Sequence, residues 1–83
     1  MAFQIPVNGH WIELWLSAWT GKERVHYDGQ LVSEKRSFMF ETIHSFQAEE
    51  DGQKAVYEVV ATTGLTGYGY AVRRNGIIQS HSP

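Results

Sequence analysis

Four Asn-Gly or Asp-Gly dipeptides divide this chain, and they restrict its fold more than any other feature of the sequence. Both central residues of a type I′ hairpin need a positive φ, which glycine adopts freely and Asn or Asp tolerates best. Further breaks at Thr20-Gly21 and from Thr63 to Gly67 fit longer connections. Turns at this spacing predict an all-β fold. The four dipeptides are Asn8-Gly9, Asp28-Gly29, Asp51-Gly52 and Asn75-Gly76.

The segments between the turns alternate in polarity, as strands with one buried face do. In the second segment the positions expected to face the core are Ile12, Leu14, Leu16 and Ala18. Residues 38–40 (Phe-Met-Phe) are expected to add strand. No window shows a sustained helical stripe of apolar residues, so we expect little or no helix. The prediction is one domain over residues 1–83, a single antiparallel β-sandwich of about seven to eight strands joined by tight hairpins.

Two stretches of the sequence repeat one pattern. Val25-x-x-Asp28-Gly29-x-Leu31-Val32-Ser33 is followed much later by Val72-x-x-Asn75-Gly76-x-Ile78-Gln79-Ser80. Each stretch is preceded by a Thr-Gly break, at Thr20-Gly21 and at Thr66-Gly67. One interpretation is that two ordinary hairpins obey the same turn chemistry. The other is a pseudo-symmetric sandwich whose two halves share a hairpin design.

Composition excludes several classes of function. Apolar residues make up 42% of the 83 residues, charged residues only 19%, and the net charge is −2. These values argue against intrinsic disorder and against a basic nucleic-acid-binding protein. The chain has no cysteine, and it shows neither a signal-peptide pattern nor an apolar run of membrane-spanning length. We therefore expect a cytoplasmic protein without a nucleic-acid or membrane partner.

No arrangement of residues in the sequence predicts catalysis, a metal site or a cofactor. A zinc site needs convergent ligands, whereas the four histidines are widely spaced, and we expect structural or exposed roles for them. Asp28 and Asp51 are explained by turns, and Glu49 and Glu50 are expected to share the loop of Asp51. The glycine-rich stretch at residues 64–69 matches no phosphate-binding loop. The histidines are His10, His26, His44 and His81.

The tryptophans are the best candidates for a binding surface. Trp11 and Trp15 have the parity opposite to the expected core residues, and Trp19 would continue the stripe if the strand persisted that far. An exposed row of aromatic side chains is typical of a contact with another protein or with a second copy. The same row could stack a sugar or another small ligand, and coverage by a loop or a neighbouring strand is a further alternative.

The turn and strand residues also carry a resemblance to the Fas apoptotic inhibitory molecule family. The matching stretches are His10-Trp11-Ile12-Glu13-Leu14, Thr20-Gly21-Lys22-x-Arg24-Val25-x-Tyr27-Asp28-Gly29, Lys35-x-x-x-Met39-Phe40 and Gly67-x-x-Tyr70-x-Val72-x-x-Asn75-Gly76. The resemblance implies an antiparallel β-sandwich that is not an enzyme and acts through protein contacts. Family members usually carry two such domains and this chain has room for one, so it looks more like small bacterial relatives of the domain.

Overall fold

All regular structure in the described part of the chain is β-strand. The computed structural model describes residues 1–64 and 67–83. Its eight strands form two antiparallel sheets, ordered β1-β2-β3-β4 and β5-β6-β7-β8. The predicted antiparallel all-β fold is thereby confirmed. The strands are β1 (Ala2–Val7), β2 (His10–Leu16), β3 (Lys22–Tyr27), β4 (Gln30–Arg36), β5 (Glu41–Glu50), β6 (Gln53–Gly64), β7 (Gly67–Arg74) and β8 (Ile77–His81).

Each sheet belongs to its own compact unit. The first unit comprises Met1–Met39 and the second comprises Phe40–Pro83. Both are simple meanders, in which each strand pairs with the next one along the chain. The prediction of one domain over residues 1–83 stays a prediction. None of the described residues form a helix that is long and apolar enough to cross a membrane.

The four Asn-Gly and Asp-Gly turns adopt the backbone conformation predicted for them. Their Asn or Asp residues have φ values between 48° and 53°, and the glycines that follow have values between 77° and 83°. Both central residues therefore occupy the left-handed region that a type I′ hairpin requires. Thr66, part of the break predicted before the last hairpin, lies outside the described residues.

The repeated sequence pattern corresponds to a repeated structure. In the first unit the Trp11 amide donates to Asp28 Oδ1 over 2.9 Å, and the Asp28 amide donates to the Trp11 carbonyl over 2.8 Å. In the second unit Val56 and Asn75 make the same two bonds at the same two distances. A register shift also precedes the turn in each unit, at Val25/His26 and at Val72/Arg73. Shared turns, bonds and bulges favour two halves of one design over two unrelated hairpins.

One face of each sheet is buried, and the alternation of the sequence sets which face it is. Ile12, Leu14 and Leu16 of β2 are at most 3% exposed. In the second unit Tyr57 and Val59 of β6 are fully buried. Successive strand residues point to opposite faces, so the intervening side chains of β2 lie on the exposed face of the first sheet.

Two expectations about strand boundaries were wrong. Ala18 is exposed because β2 ends at Leu16 and the chain turns there, with the Gly21 amide donating to the Ser17 carbonyl over 2.9 Å. Residues 38–40 form the connection between β4 and β5, and each of them is at least 70% exposed. Apolar composition alone did not distinguish a strand from a connecting segment at this point.

Candidate binding face

The exposed face of the first sheet carries two of the three predicted tryptophans. Trp11 is 56% exposed and Trp15 is half-buried, while the residues between them on β2 alternate as predicted. Neither tryptophan belongs to the buried face. We call this surface the tryptophan face and define it by Gln4, Trp11, Glu13, Trp15, Arg24 and His26.

Trp19 does not extend this face. It lies in the turn after β2 and is 95% exposed. The expected stripe depended on the strand continuing past Leu16, which it does not do. A binding role for Trp19 stays a prediction, separate from the tryptophan face.

Trp15, Arg24 and Glu34 form a row across three strands. Cross-strand pairing places Trp15 opposite Arg24, and Arg24 opposite Glu34. The Arg24 guanidinium carbon lies 5.1 Å from the centroid of the Trp15 ring, and Arg24 Nε lies 2.6 Å from Glu34 Oε2. The hydrogen bond from Arg24 lowers the pKa of Glu34. The row is thus an aromatic ring, a cation over it and a carboxylate that holds the cation.

A small cleft lies beside this row. It has a volume of about 180 Å³ and is lined by Gln4, Trp11, Glu13, His26 and Gly29. Pairing between β1, β2 and β3 places Gln4 opposite Glu13, and Glu13 opposite His26. The Gln4 side-chain amide donates to Glu13 Oε2. His26 Nδ1 is shielded from solvent and lies 3.6 Å from Glu13 Oε1, which is too long for a hydrogen bond.

The Asp28 turn forms one end of the cleft and is held by several contacts. Asp28 Oδ2 lies 2.7 Å from His10 Nδ1, and the other carboxylate oxygen accepts the Trp11 amide. The His10 ring stacks on Tyr27 with centroids 5.0 Å apart. Asp28 thus lies in the turn predicted for it. Its contacts hold this turn, which includes Gly29, against the backbone of Trp11.

The second unit contains a buried polar cluster that the sequence interpretation missed. Glu50 was expected in the loop of Asp51, but it is the last residue of β5 and only 5% exposed. It accepts a hydrogen bond from the Tyr57 hydroxyl, and its Oε1 lies 2.8 Å from Arg74 Nη2 and 2.9 Å from Arg74 Nε. The parity shared by His44 and Phe46 continues to Glu50 and was the signal that could have revealed its burial.

The charged and polar groups of this cluster are paired with one another. Burial, followed by the hydrogen bond to Glu50, raises the pKa of Tyr57 to about 12. The hydrogen bond to Glu50 also raises the pKa of Arg74. A phenol with a raised pKa and a buried ion pair are suited to holding β5, β6 and β7 together.

The histidines do not converge on a common point. His44 is fully buried, whereas His81 is exposed. Across residues 1–64 and 67–83, no three histidine or carboxylate side chains are grouped as a metal ion would require.

No protein-family model, characterised protein or solved structure matches the chain.

Proposed function

We propose that the chain is a non-catalytic binding domain that contacts another protein through the tryptophan face. The observation that supports this most is the position of Trp11, which is 56% exposed at the rim of a cleft that also contains Glu13 and His26. Exposed aromatic side chains beside polar groups are the usual anchors of protein interfaces. The role agrees with what the resemblance to the Fas apoptotic inhibitory molecule family implies. Absence of cysteine supports a cytoplasmic location.

A sugar or other small ligand is less well supported. The cleft volume of about 180 Å³ is below the range of roughly 300–1,000 Å³ of typical ligand pockets. A sugar-binding stripe also needs free ring faces, and Arg24 lies over the ring of Trp15. The cleft is better matched to one side chain of a protein than to a whole small molecule.

The proposal is testable by site-specific photocrosslinking in cells. A photoreactive amino acid at Gln4, on the cleft, should yield a discrete crosslinked protein, either a partner or a second copy. The matched control position is Ser45, which pairs with Glu58 in the second sheet as Gln4 pairs with Glu13 in the first.

The expected result is a product from position 4, absent from position 45, that disappears in the Trp11→Ala, Trp15→Ala double variant. A product from position 4 that persists in the double variant would contradict the proposal, as would no product at all.

A further inference from the structure

We propose that the cleft on the tryptophan face receives an arginine side chain of the partner, an inference that rests on the function proposed above. The guanidinium would stack on Trp11 and bind the carboxylate of Glu13. This names the chemistry of the partner: a protein surface or segment with an exposed arginine.

The neighbouring row shows the same recognition already made within the chain. There Arg24 lies 5.1 Å over the Trp15 ring and is held by Glu34 over 2.6 Å. Arginine suits such a site because its planar guanidinium stacks on an aromatic face while its fork of N–H donors binds a carboxylate. The tryptophan face thus contains one complete set of ring, cation and carboxylate.

The cleft holds two of these three parts. Trp11 provides a ring and Glu13 a carboxylate, and the five residues that line the cleft include neither lysine nor arginine. His26 stands opposite Glu13 just as Arg24 stands opposite Trp15. At 3.6 Å its Nδ1 does not form a hydrogen bond with Glu13 Oε1. The side chains of the cleft give Glu13 the Gln4 amide and an imidazole 3.6 Å away but no cation with several donors, which supports charge complementarity to arginine.

The second sheet lacks the same arrangement at the equivalent positions. Val56 takes the place of Trp11 beside the Asn75 turn, and Arg73 stands opposite Glu58 where His26 stands opposite Glu13. The repeat therefore has an arginine of its own at the position where the first unit has a histidine. Of the two cross-strand pairs compared, the carboxylate is common to both units, whereas Trp11 and His26 are particular to the first.

The inference can be tested with a capped tripeptide, Gly-Arg-Gly, titrated into the isotopically labelled chain and followed by amide and indole NMR shifts. The matched probe is Gly-citrulline-Gly, which has the shape of arginine without its charge. We expect saturable shifts at Trp11 and its neighbours, and binding of the citrulline peptide weaker by about tenfold, the scale of a charge-assisted pair.

Two carboxylate variants locate the binding site. Glu13→Gln should weaken binding of the arginine peptide by about tenfold, the scale of one charge-assisted bond. Glu34→Gln, which alters the carboxylate of the complete set, should leave that affinity within about twofold. Trp11→Leu is a second variant that removes the stacking surface without touching a charge, and it should also weaken binding.

Equal affinity for the two peptides, or unchanged affinity in Glu13→Gln and Trp11→Leu, would overturn the inference. If crosslinking from position 4 succeeds while the arginine peptide fails to bind, only the identity of the inserted side chain is wrong. If the peptide binds and crosslinking fails, the cleft recognises arginine but the proposed protein contact is wrong.

Discussion

Arg74→Met should destabilise the fold far more than the same substitution at Arg24. Both arginines bind a glutamate, but the Glu50 side chain is 2% exposed and that of Glu34 is 42% exposed. Methionine retains most of the apolar stem of arginine, so the change mainly removes the cation. Without Arg74, Glu50 would remain as a buried carboxylate that has lost the cation beside it.

The magnitude follows from these exposures. Breaking a buried ion pair by removing one partner costs roughly 3–5 kcal/mol. The Arg74 side chain is 27% exposed, so water can reach part of the vacated space and we expect a loss near 3 kcal/mol. At Arg24 the expected loss is about 0.2–1 kcal/mol, because both partners are exposed and the pair is screened.

Urea denaturation followed by far-UV circular dichroism measures both changes. With a denaturant slope of about 1–3 kcal/mol/M, the Arg74 variant should lose roughly 1–3 M in its midpoint. All three tryptophans lie in the first unit and Arg74 lies in the second. If residues 1–83 are one domain, the tryptophan fluorescence transition should shift together with the circular dichroism transition.

Equal losses in Arg74→Met and Arg24→Met would refute the argument from burial. A shift in circular dichroism without one in tryptophan fluorescence would leave that argument intact. It would show instead that the two units unfold separately and that the single-domain prediction is wrong.

Three further predictions concern the turns, the core and the buried phenol. Gly76→Val should cost more than about 1 kcal/mol, because φ is 81° there, and Gly64→Val, which lacks a positive φ, should cost clearly less; equal thermal midpoints would contradict this. Leu14→Ala should cost about 2–5 kcal/mol and Trp15→Ala clearly less, as measured by urea denaturation, since only Leu14 is fully buried. Because the folded-state pKa of Tyr57 is about 12, above its ordinary 10, its contribution to stability is complete below pH 10 and is lost as the pH rises to 12. Tyr57→Phe should remove this part of the alkaline loss in pH-dependent unfolding curves.

Most of the fold was readable from local patterns in the sequence. Asn8-Gly9 and the three similar dipeptides predicted turns because few other residues accept a positive φ. The parity of Ile12, Leu14 and Leu16 predicted the buried face of β2, because successive strand side chains alternate between faces. Local patterns gave wrong predictions where the result depended on the residue at which a strand ends. Ala18 and Trp19 kept the parity of β2, but the chain had already turned.

The polar clusters depended on contacts between residues distant in the chain. Glu50 and Arg74 are 24 residues apart, and the burial of Glu50 depends on β5 reaching the edge of the Asp51 turn. Acidic residues before a turn usually indicate a loop, so the composition of this segment predicted a loop at Glu50, where the structure has the end of β5. The length of β5 became evident only from its pairing with β6.

By itself the sequence determined the turns, most of the strands and the side of β2 on which Trp11 and Trp15 lie, because these properties depend on neighbours along the chain. Only the tertiary structure decided that Trp15 is covered by Arg24 whereas Trp11 borders a cleft with Glu13. The physical reason is cross-strand register, which sets which side chains of β1, β2 and β3 lie opposite one another. A shift of one residue would move each of these side chains to the other face of the sheet.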